Sequence, residues 1–146
     1  MAMEKHDIKT REDIELMVRS FYDKATRDDL IGYIFNDVMK VDWPKHLPVM
    51  YDFWDSLLLE GTYKGNAMQP HFAINKLVPL ETPMFQRWLQ IFEATVNELF
   101  IGETADLAIT RARSISEIMN FKMNIINHPE QQKGNIPLVN PGNQNG

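Results

Sequence analysis

Residues 42–58 read Asp42-Trp43-Pro44-Lys45-His46-Leu47-Pro48-Val49-Met50-Tyr51-Asp52-Phe53-Trp54-Asp55-Ser56-Leu57-Leu58, and this stretch decides the fold. Asp42 suits an N-cap, and Pro44 is tolerated in a first turn, where its missing N–H has no partner to lose. Leu47, Met50, Tyr51, Trp54, Leu57 and Leu58 then recur at helical spacing up to a stop at Gly61. His46, Met50, Phe53 and Leu57 form a neighbouring stripe, so His46 faces a different sector from Leu47 and Tyr51.

The same rhythm extends in both directions. Upstream, Thr10-x-x-Asp13 has the form of a capping box before Ile14, Met17, Val18, Phe21, Tyr22 and Ala25 on one face. Asp28-Asp29 interrupts that helix, and Leu30 to Phe35 reads as a short second one ending at Asn36-Asp37. Downstream, Gly and Pro breaks leave room only for a short helix around Gln69 to Lys76. Thr82-Pro83 opens a strong helix through Phe85, Trp88, Leu89, Phe92, Val96, Leu99 and Phe100, closed by Gly102. Thr104 is expected to cap a last long helix with Leu107, Ala108, Ala112, Ile115, Met119, Met123 and Ile126. After His128-Pro129 the composition turns to Gln, Asn, Gly and Pro. The expectation is one all-α domain over 1–128 and a disordered tail over 129–146.

Bulk composition narrows the function classes. With 146 residues, 44% apolar and 24% charged, the chain is long enough for one core and ordinary in make-up. A net charge of −5, without any Lys/Arg run, argues against a nucleic-acid partner. The polar start and the short apolar runs give no signal-peptide core and no membrane span, so a cytoplasmic protein is expected. The absence of Cys excludes disulfides, Cys-type zinc sites and covalent attachment of a cofactor through Cys-x-x-Cys-His. Glu-x-x-His pairs, His-Glu-x-x-His, phosphate-cradling Gly loops and Gly-x-Ser-x-Gly are all missing.

What remains is a set of rings with two imidazoles: Phe21-Tyr22, Phe35, Trp43-x-x-His46, Phe53-Trp54, His71 and Phe85-x-x-Trp88. An aromatic, Met-rich interior of this kind suits a large flat apolar cofactor with a metal at its centre. Taken alone, His71 reads as a surface histidine, and His46 divides evenly between a half-buried structural role and a pocket role. Tyr22 and Trp88, alone, are more often core; buried, each still has a polar tip that needs a partner.

These motifs, in this order over roughly residues 8 to 125, resemble the group III truncated haemoglobins of the globin superfamily. The resemblance implies a two-over-two helical sandwich around haem b, with His71 as the axial iron ligand. It implies Tyr22, His46 and Trp88 as the distal hydrogen-bonding set, and Phe35, Met50, Phe53, Trp54, Tyr63, Leu77 and Phe85 as haem contacts. Dioxygen held at iron would carry negative charge on its outer atom, which a phenol O–H and an indole N–H would stabilise. Reversible binding of dioxygen, with nitric oxide and carbon monoxide also accepted, is the implied function, as an oxygen-binding or oxygen-transport protein.

Several alternatives stay open at this point. Both histidines would ligate the iron in a hexacoordinate form. A haem enzyme would consume peroxide or convert nitric oxide with dioxygen, and the latter needs an external reductase. Peroxide chemistry favours a carboxylate on the axial imidazole, whereas Asn75 and Met68 stand one turn from His71. A sensor would need an output domain from a partner chain. A haem-free all-α interaction domain is the plainest alternative.

Overall fold

The computed structural model describes residues 4–61, 63, 65 and 68–132. Five α-helices follow in order: α1 (Arg11–Ala25), α2 (Trp43–Leu58), α3 (Met68–Leu77), α4 (Thr82–Leu99) and α5 (Glu103–Asn127). Two short turns complete them, a π-helical one at Ile34–Val38 and a 3-10 one at Pro129–Gln132. Among the described residues the only strand-like feature is an isolated bridge between His6 and Phe100. The helices pack as two pairs, α1 with α2 and α4 with α5, joined where α1 meets α4 and α2 meets α5.

Local chemistry explains where each helix starts. The capping box forms as read: Asp13 N–H donates to Thr10 Oγ1 at 3.2 Å, and Thr10 N–H donates to Asp13 Oδ2 at 3.1 Å. Ile14, Met17, Val18, Phe21 and Ala25 then point inward from α1. On α5 the inward stripe is Ala105, Ala108, Ala112, Ser116, Met119 and Met123, small at first and larger later. The small residues let Phe92 and Val96 of α4 approach closely, and both are essentially fully buried. Burial of one such side chain contributes roughly 1.5–3 kcal/mol.

Ion pairs fix the register between elements. Arg11 reaches Asp52 at 2.8 Å and Asp55 at 2.9 Å, tying the start of α1 to α2. Arg87 pairs with Asp28 at 2.8 Å and so ties α4 to the corner after α1.

The structure corrects two local expectations. The segment expected as a helix over Leu30 to Phe35 instead centres on the π-helical turn at Ile34–Val38. Asp28 accepts the N–H groups of Leu30 and Ile31 and sets the entry; Met39 N–H then bonds the Ile34 carbonyl at 2.8 Å, five residues back. Second, Thr104 does not cap α5. Gly102 is the N-cap residue, and Asp7 takes the N–H groups of Thr104 at 3.0 Å and Ala105 at 2.8 Å. Gly102 has φ +140°, and a Cβ there would lie 2.4 Å from the Asp7 carboxyl, so both backbone and space call for glycine. Asp42 occupies the N-cap of α2 as expected, its carbonyl accepting the His46 N–H at 2.8 Å while its side chain makes no cap bond. The first four residues of the expected tail, Pro129–Gln132, form the 3-10 turn, and 133–146 lie outside the described residues.

Candidate cofactor pocket

All five helices and the π-helical turn surround one cavity of about 280 Å³. From α1 come Val18, Phe21 and Tyr22; from the turn and its end, Ile34, Phe35 and Met39. The i→i+5 closure of that turn brings Ile34 and Met39 one above the other, which is why both reach the wall. His46, Val49, Met50, Phe53 and Trp54 come from α2, and Pro70, His71 and Ile74 from α3. Met84, Phe85, Trp88 and Phe92 of α4, with Ile115, Ser116 and Met119 of α5, close the remaining side.

Of the expected contacts, Phe35, Met50, Phe53, Trp54, Tyr63 and Phe85 face this cavity together with Tyr22, His46, Trp88 and His71. Leu77 does not. It sits at the end of α3, 70% exposed, because one turn earlier Ile74 already takes the inward position. Residues that the ring pattern did not single out include Ile34, Met39, Met84 and Phe92. Phe92 carried the clearest signal, standing four residues after Trp88 and seven after Phe85 on one helical face.

The rings form a connected set. Phe92 stacks on Trp54 with centroids 4.7 Å apart and on Trp88 at 5.6 Å. Phe21 meets Phe92 and Trp88 edge-on, each at 5.7 Å. Tyr22 packs against Phe35 at 5.6 Å and His46 at 5.6 Å, with Trp43 behind it at 4.9 Å. Trp43 faces an outer cleft and not the cavity.

Few polar groups enter this apolar room, and each has a distinct state. The Tyr22 hydroxyl lies 3.3 Å from His46 Nε2. Burial pushes the Tyr22 phenol well above its ordinary range, so it keeps its proton. Burial, and then the charge of His71, holds His46 below its usual value, so the neutral imidazole is favoured. Ser116 spends its hydroxyl on the Phe85 carbonyl at 3.3 Å. The Trp88 indole N–H makes no hydrogen bond among the described residues.

A helical sandwich of this order, with a ring-lined cavity between its layers, has the truncated-globin fold. No family model matches the chain. It is similar to the group 3 truncated hemoglobin ctb of Campylobacter jejuni subsp. jejuni serotype O:2, 29% identical over 116 residues, or 77% of this chain and 89% of the relative. The crystal structure of the group III truncated hemoglobin from Campylobacter jejuni superposes with a TM-score of 0.71 and 28% identity, covering 82% of this chain and 95% of that one. The resemblance read from the residues thus holds in sequence and in fold.

Proposed function

We propose that this chain is a globin-type haem protein that holds haem b through His71 and reversibly binds a diatomic gas, dioxygen first. One observation carries the reading. His71, Tyr22, His46 and Trp88, from four different helices, share a single apolar cavity, and the Trp88 N–H there has no partner among the described residues.

The cavity's chemistry fits that group. Among the described residues no cluster of three or more His, Asp or Glu side chains is able to hold a bare ion. Two imidazoles on an apolar wall suit a metal that arrives inside its own flat ligand frame. Haem supplies an iron with an open position for a small gas. The protein's part is to exclude water with Phe35, Phe53 and Phe85, to ligate through His71, and to offer donors. Tyr22 keeps its proton through burial, and neutral His46 takes part in one hydrogen bond with it. The tautomer decides which of the two donates, and Tyr22 has its O–H to give the ligand when His46 Nε2 carries the proton.

Visible spectra of ferric, ferrous and carbon monoxide-treated protein, alongside His71→Ala, test this. One haem per chain is expected, lost or loosely held in the variant. Unchanged haem content and an unchanged ferrous spectrum in His71→Ala would overturn the assignment. A second reading has an observation in its favour: His46 of α2 and His71 of α3 line the same cavity. Both would then ligate in the resting state, giving a low-spin six-coordinate ferrous spectrum that His46→Ala converts to five-coordinate. An enzymatic role in nitric oxide or peroxide removal needs an external reductant, and turnover with a supplied reductase separates it from simple binding. A cytoplasmic site of action belongs to the proposal; no described helix is long and apolar enough to cross a membrane.

A further inference from the structure

The short helix α3, which carries His71, is anchored lightly. Among its described side chains only Ile74 and Asn75 are buried. Apolar contact at Ile74 is non-directional, and by itself lets a ten-residue helix roll about its axis. Asn75 supplies the direction. Its Oδ1 accepts the Leu80 N–H at 2.7 Å and the Asn127 Nδ2 at 2.9 Å, while its own Nδ2 donates to Asn127 Oδ1 at 2.9 Å. Asn127 Nδ2 also donates to the Leu80 carbonyl at 3.1 Å. Two facing amides thus bind the last turn of α3, the link to α4 and the last residue of α5. Planar amides bond in fixed directions, so this clamp sets both the rotation and the height of α3.

Asn75 stands four residues after His71, on the same side of the helix. We infer that Asn75 and Asn127 are positioning residues for His71: the amide clamp sets the rotation of α3 and hence the aim of the imidazole into the cavity. This rests on the reading of His71 as the axial ligand. It makes the C-terminal end of α5 a handle on the metal site.

The test uses the full chain with and without haem. Asn127→Ala removes one half of the clamp at a part-exposed helix end. It is expected to shift the iron–histidine stretching band of the ferrous protein in resonance Raman spectra. Haem transfer to apomyoglobin should become about tenfold faster, at the low end for loss of a partner behind a metal ligand. Amides of α3 should exchange with deuterium faster in the haem-free protein, a readout independent of bound iron. Asn127→Asp puts a carboxylate oxygen in place of the Nδ2 donor, against Asn75 Oδ1 and the Leu80 carbonyl, and should move the band at least as far. Ile126→Ser, next in the chain and exposed, should move neither band nor haem transfer. The proposal falls if exchange rises while band and haem transfer stay put, since the clamp is then structural only. It falls equally if Ile126→Ser matches Asn127→Ala, or if the Asp variant leaves the band in place. His71→Ala separates the two levels: a band that survives it removes the ligand assignment itself, whereas a band that vanishes there and ignores Asn127→Ala sinks only the clamp.

Discussion

Two groups of inward-facing polar side chains in this molecule are treated in opposite ways. Between α3 and α5, Asn75 and Asn127 match each other and the Leu80 backbone, with four bonds of 2.7–3.1 Å. Around the cavity, Tyr22 and His46 share one bond of 3.3 Å, and Trp88 donates to nothing described. A buried amide left unmatched costs about 1–3 kcal/mol, so the matched set is what folding favours. The cavity set gives up part of that stability and keeps donors in reserve. The lesson is that satisfied polar groups hold this fold, while under-used ones mark the place proposed for a ligand.

The largest expected effect tests the reserve. Each hydrogen bond to a partly charged ligand is worth roughly 1.5–3 kcal/mol. At about 1.4 kcal/mol per factor of ten, Tyr22→Phe or Trp88→Phe should speed dioxygen release about ten- to a hundredfold. Carbon monoxide carries less charge when bound and should leave at nearly its original rate. The double variant should fall short of the product, because both donors serve one ligand. Stopped-flow release of both gases decides; equal effects on the two would make the residues a steric gate and leave the cavity without donors in reserve.

The matched region should answer in stability instead. Asn75→Ala strands Asn127 and the Leu80 N–H, and is expected to lower unfolding free energy by about 1–3 kcal/mol. Tyr22→Phe, which removes one long bond, should change it much less. Urea titration of both haem-free variants compares them directly, and equal losses would break the comparison.

A smaller effect belongs to Asp7. Burial raises its carboxyl, but the N–H groups of Thr104, Ala105 and Ile8 outweigh that and leave it below its ordinary value. The unfolded chain therefore takes up its proton first as pH falls. The stabilisation is complete above the ordinary carboxylate value of 3.8 and disappears as acid carries the solution through the lower folded value. Asp7→Ala should cost about 1 kcal/mol at neutral pH, as for other helix caps. It should also flatten the acid limb of a stability–pH profile, and an acid limb identical to that of the parent chain would count against the cap.

The smallest effect is expected from deleting 133–146. With Ile136, Leu138 and Val139 as its only large apolar residues, the segment has little to bury. Melting temperature and haem content should both stay put, and a fall in either would show that the segment docks.

How much the sequence disclosed follows the range of the forces involved. The amphipathic rhythm of α1, α2 and α4 and the Thr10–Asp13 box are local, and they appear where the residues imply. The rings that share a helix face converge on the cavity for the same reason. The cap on α5 was illegible because the acceptor for its first N–H groups lies 97 residues away at Asp7, and nothing near Thr104 announces it. The π-helical turn escaped because a widened turn has no 3.6-residue signature. Leu77 was misplaced through a shift of one helical turn on α3, a helix whose inward face is set by Ile74 and Asn75 and not by a long apolar stripe.

The ring set also has an optical consequence. Trp54 and Trp88 flank Phe92 in one stack, and Trp43, the last of the chain's three tryptophans, lies against Tyr22. Every indole in the protein therefore stands on the cavity wall or directly behind it. A flat chromophore that absorbs near 400 nm, seated there, would drain the emission of all three at once, leaving no distant tryptophan as background. Haem entry and departure can thus be followed by the protein's own ultraviolet fluorescence, with no label, in the unmodified chain.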